Sequence, residues 1–128
     1  MKLKNIFIII VLACCASCAS KGQKSKTSIE VLTIKSTDNG KTIEVKNSQE
    51  FNVLFEKECV GCREIWHITK SDETIVKSVK DSFSNPSCTN CTGGNQDHTF
   101  QFKAVKAGNT ILAFDYMEEH FQVSIFVK

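Results

Sequence analysis

Two Cys-x-x-Cys pairs, Cys59 with Cys62 and Cys88 with Cys91, are the residues of this 128-residue chain best suited to do chemistry. Four thiolates in two such pairs complete a tetrahedral zinc shell where thiols stay reduced. In an oxidising compartment the same four sulfurs form two disulfides, and four cysteines allow three pairings. Bridges between the pairs would close segments of about 25–30 residues and stabilise by roughly 3–4 kcal/mol. A redox role fits poorly, because a redox CxxC normally opens a helix whose N-terminus lowers the thiol pKa.

His67, His98 and His120 carry no partner motif and read as surface residues, with a mixed Cys/His metal site at His98 and His120 as the alternative. The chain shows no Ser/His/Asp order, no acid pair suited to a cleft and no phosphate loop, so it does not read as an enzyme. Asn90-Cys91-Thr92 matches a glycosylation sequon, which matters only in a eukaryotic host.

The N-terminal 20 residues set the redox compartment. Lys2 and Lys4 form a basic start, residues 6–13 are an unbroken apolar run, and small residues and cysteines follow. Eight apolar residues are too few to cross about 30 Å of hydrocarbon as a helix but suit an export signal. The ending resembles a bacterial lipoprotein box. Cys18, after Ala16-Ser17, is the expected lipidated residue, with Cys14 as the alternative. Modification at Cys18 leaves four other cysteines, an even number. The expected location is a membrane-anchored lipoprotein of the bacterial cell envelope; a secreted protein is the alternative. Export favours two disulfides over structural zinc, and no other cofactor is implied.

Residues 21–28 are polar and Lys-rich and read as a tether, leaving residues 29–128 as one domain. Two of the 16 basic side chains lie in the leader, which holds no acid; the rest balances at 14 of each sign. A neutral body has no electrostatic footprint for nucleic acid. Nine Phe supply bulk for one core.

The elements that must position the cysteines are strands. Phe51, Val53 and Phe55 alternate, as do Phe100, Phe102 and Ala104, then Leu112, Phe114 and Tyr116, then Phe121, Val123, Ile125 and Val127. A period of two puts one face on a core. Residues 74–83 have Ile75, Val79 and Phe83 at a helix-compatible spacing, but their Val, Thr and Ser content favours a strand. Asp38-Asn39-Gly40 is the strongest turn signal and predicts a tight hairpin. About seven short strands with turns between them predict an all-β, antiparallel sandwich.

In order of features, the body resembles the chagasin-like inhibitors of papain-type cysteine peptidases. Residues 32–51 look like that family's first strand, Asn-Gly turn and second strand. Residues 99–116 look like its two strands joined by a Lys-Ala-Gly turn, and residues 120–128 like its terminal strand. The resemblance implies an immunoglobulin-like sandwich, a monomeric inhibitor and a papain-like cysteine peptidase as partner. It also implies three loops at one end that occlude the peptidase cleft. The family's first loop reads Asn-Pro-Thr-Thr-Gly-Tyr-x-Trp; here residues 59–66 read Cys-Val-Gly-Cys-Arg-Glu-Ile-Trp, sharing Trp66. The second loop keeps Gly93-Gly94, and the third has Tyr116-Met117-Glu118-Glu119-His120 where the family has Arg-Pro-Trp. The contact residues implied are Cys59, Val60, Gly61, Cys62 and Arg63; Gly93, Gly94 and Asn95; and Met117, Glu118, Glu119 and His120. A non-inhibitory immunoglobulin-like module of the envelope and a zinc-stabilised lipoprotein are the alternative functions.

Overall fold

The computed structural model describes residues 30–59, 63–84 and 94–128. Eight strands occupy most of them: β1 (Leu32–Lys35), β2 (Thr42–Val45), β3 (Glu50–Cys59), β4 (His67–Lys70), β5 (Val76–Ser84), β6 (Asn95–Ala104), β7 (Gly108–Tyr116) and β8 (Glu119–Val127). They form two four-stranded sheets, ordered β1-β3-β6-β5 and β2-β8-β7-β4. The inward residues of both sheets make the core, with Phe51, Val53, Phe55, Phe100 and Phe102 on one side and Leu112, Phe114, Phe121, Val123 and Ile125 on the other. These are the alternating positions of the sequence, since successive side chains of a strand face opposite ways. The stretch with the helix-compatible spacing is β5, as its composition favoured.

Two expectations need correction. The sheets are mixed, because β1 runs parallel to β3 and β2 parallel to β8. The Asn-Gly turn does not close a hairpin, for β1 and β2 lie in different sheets. Residues Ser36–Asp38 form a 3-10 turn, and only Gly40 of the Asn-Gly pair has positive φ, at 78°. A type I′ hairpin needs positive φ at both positions; Asn39 has φ −52°. The corner carries the chain from one sheet to the other instead. Asn39 anchors it, accepting the Gln122 N–H at 2.9 Å and donating to the His120 carbonyl at 3.3 Å. Asp38 accepts the Lys35 N–H and the Lys41 ammonium, which together hold its carboxyl below the ordinary value.

Two bulges decide which residues of the first sheet face inward. Between Phe55 and Glu58 the register with β6 shifts, with Lys57 at φ 63°. Between Ser78 and Lys80 the register of β5 shifts in the same way. A bulge adds one residue and reverses the face of everything after it.

Candidate functional site

Both sheets open toward one end of the sandwich. In the first sheet Cys59 faces Asn95 and Ser84 faces Asp97; in the second, His67 faces Asp115 and Tyr116 faces Glu119. The connections 60–66, 85–94 and 117–118 therefore leave the same end. An aromatic stack joins the sheets there. Phe55 of β3 lies 4.1 Å from Trp66 at 9°, and Trp66 lies 5.4 Å from Tyr116 of β7. Phe55 also takes edge contacts from Phe114 and Phe121 at 5.2 Å each. Such stacking adds roughly 0.5–1.5 kcal/mol per pair beyond the buried area.

The contact residues implied by the resemblance fall as follows. Cys59 ends β3 and Asn95 starts β6 directly across from it. Arg63 is exposed and Gly94 half-buried. The third loop is shorter than expected: Met117 and Glu118 alone form the turn, while Glu119 and His120 already pair in β8. Met117 stands 62% exposed with φ 52°. Val60, Gly61, Cys62, Cys88, Cys91 and Gly93 lie outside the described residues, as do Cys14 and Cys18. Among the described residues no group of three or more His, Cys, Asp or Glu could hold a metal ion.

Three apolar side chains are exposed at this end: Ile65 and Phe83 join Met117. Their relation could not be read from sequence, because Phe83 reaches the end only through the β5 bulge. Beside them a shallow hollow of about 210 Å³ runs between Phe55, Glu58, Trp66, Tyr116 and Glu119. Small-molecule sites are usually about 300–1,000 Å³.

The histidines divide sharply. His67 is exposed, its Nδ1 3.3 Å from the Ile65 carbonyl. His120 is exposed beside Asp115, Nδ1 to Oδ1 2.5 Å, and that hydrogen bond raises its pKa above 6.5. His98 is no surface residue; it is the fourth residue of β6 and 0% exposed. Its Nδ1 lies 2.6 Å from Glu58 Oε2, and its Nε2 lies 2.5 Å from Asp81 Oδ1. Opposite nitrogens face the two carboxylates, so the three groups do not converge on a point as metal ligands would. Both ring N–H groups can donate only in the imidazolium form. Phe83 and Phe100 stack on the ring at 4.1 and 4.2 Å. Glu58 and Asp81 were missed in sequence. The signal for Glu58 was Lys57, a cation where strict alternation after Phe51, Val53 and Phe55 demands an apolar residue.

A profile of the Chagasin family peptidase inhibitor I42 matches residues 60–124, half of the chain. The chain belongs to the chagasin family of peptidase inhibitors. It resembles the crystal structure of EhICP2, a cysteine protease inhibitor from Entamoeba histolytica, with TM-score 0.63 and 10% identity over 77% of this chain and 95% of that one. It also resembles the solution structure of amebosin, with TM-score 0.57 and 12% identity over 77% and 98%. At these identities the two structures speak for the shared chagasin-like sandwich. No curated protein matches the chain.

Proposed function

We propose that this protein is an exported, lipid-anchored inhibitor of papain-like cysteine peptidases that blocks the active-site cleft with the connections 60–66, 85–94 and 117–118. The observation that carries the reading is their common emergence at one braced end of a chagasin-family sandwich. A rigid scaffold loses little conformational freedom on binding. Ile65, Phe83 and Met117 are the apolar anchors, and central anchors supply most of the binding energy. Glu118 and Glu119 beside Met117 favour a cleft with a basic rim. Occlusion needs neither a cofactor nor a second copy of the chain.

Lipidation at Cys18, with Cys14 as the alternative, tethers the domain to the envelope. Cys59, Cys62, Cys88 and Cys91 form two disulfides that stiffen the loop end. One fact supports this framework: Cys59 faces Asn95, four residues past Cys91, so the two pairs flank neighbouring strands. Intact mass distinguishes the forms: two disulfides remove four hydrogens, whereas zinc adds a mass that chelators strip.

The decisive assay is inhibition of a panel of papain-like peptidases by residues 21–128. Each peptidase is activated and then freed of reductant, so that the disulfides persist. Saturable inhibition at nanomolar to low-micromolar concentration is expected. A folded, oxidised domain that inhibits none of the panel overturns the reading and points to a non-inhibitory envelope module.

A further inference from the structure

The trio of buried Glu58 and His98 with exposed Asp81 is not needed to close the core. Fully buried charged groups give up hydration, and apolar residues of similar volume often stabilise as well or better. What the trio does is geometric. Glu58 uses both carboxylate oxygens: Oε2 meets His98, and Oε1 accepts the backbone N–H of Trp66 at 3.2 Å. Trp66 ends the first connection, and Glu58 sits one residue before that connection's other root at Cys59. On its far side His98 meets Asp81, and Phe83 stacks over the ring; both belong to β5, the strand that leads into the second connection. Glu58 Oε2 and His98 Nδ1 have no hydrogen-bond partner besides this ion pair among the described residues. The two bulges exist on the two strands that must reverse face for the trio to meet.

We propose that His98 is a positioning residue of the inhibitory end: holding Glu58 on one ring nitrogen and Asp81 on the other, it locks the first connection to the strand that launches the second. The inference rests on reading this end as the peptidase-contacting surface. Preorganised loops bind without the ordering cost that mobile ones incur. The role is specific to the two connections, so its loss differs from loss of stability.

The test compares the wild-type chain with Glu58→Gln and with the double variant Glu58→Met/His98→Leu, which replaces the ion pair by apolar groups so that the core stays filled. Hydrogen exchange is read at the Trp66 amide against the amides of Val53 and Phe102 in the sandwich centre, and inhibition against papain and its relatives. In the double variant the Trp66 amide is expected to exchange at least about tenfold faster while the central amides keep their protection. Inhibition weakens about tenfold or more in the same variant. Glu58→Gln retains an acceptor for the Trp66 N–H and falls between. Exchange that rises equally at all three amides overturns the lock. So does undiminished inhibition by a variant whose Trp66 amide is freed. A wild-type chain that inhibits no peptidase overturns the inhibitory role together with the peptidase reading, and the exchange order then decides the lock alone.

Discussion

At the scale of single residues, Met117 of the third connection and His120 of β8 each carry a prediction. Met117 adopts φ 52°, a left-handed conformation that costs a non-glycine residue about 1–2 kcal/mol. Met117→Gly relieves that strain, at some entropic cost in the unfolded chain, and is expected to stabilise the fold by about 0.5–1 kcal/mol. Removing the exposed thioether arm should weaken peptidase binding in the same variant. Thermal melts and inhibition constants check both; a lower melting point would show the turn is unstrained. His120 predicts a pH dependence. Its folded pKa lies above the ordinary 6.5, first because Asp115 accepts its hydrogen bond and then because Gln122 adds another. A raised pKa stabilises fully below the unfolded value and fades as pH rises through the folded one. The melting-point advantage of wild type over His120→Asn should be present near pH 6 and shrink toward pH 9. A difference constant across that range would refute the pair.

At the scale of elements, the corner between β1 and β2 sets how the chain changes sheets. Asn39 bonds both Gln122 and His120 of β8 through one side chain, and Gly40 adds an N–H to the Gln122 carbonyl at 2.7 Å. These bonds hold the corner to a strand some 80 residues away in sequence. Asn39→Ala should cost about 1–2 kcal/mol in urea unfolding, from a lost side-chain bond and an unsatisfied β8 amide. The sequence marked this corner correctly as a turn, because Asp-Asn-Gly favours tight backbone. It could not mark the kind of turn, because whether β1 and β2 pair depends on which partners claim their edges.

At the scale of the molecule, stability and site share the aromatic stack. Phe55 touches Trp66, Phe100, Phe114 and Phe121, so it joins both sheets beneath the loop end. Phe55→Ala should cost about 3–5 kcal/mol. The single Trp of the chain reports the event, since its fluorescence must change when its stacking partner goes. A cost below about 1 kcal/mol would mean the core collapses around the gap. Pairing of this kind joins strands distant in sequence, so folding on the millisecond-to-second scale is expected in stopped-flow refolding.

Sequence alone determined the all-β class, the residues of both core faces, the turn positions and the common end of the three connections through the family resemblance. The class and the core faces follow from alternation, which is local: each strand residue faces opposite its neighbour whatever lies across from it. His98 continues the inward alternation of Phe100, Phe102 and Ala104, but only the tertiary structure decided that Glu58 and Asp81 meet it and that Phe83 stacks on its ring. The reason is the pair of bulges. A bulge is a mismatch between two strands, so the face of Glu58 depends on its register with Gln96, and that of Asp81 on its register with Phe100. No stretch of sequence read by itself contains that register.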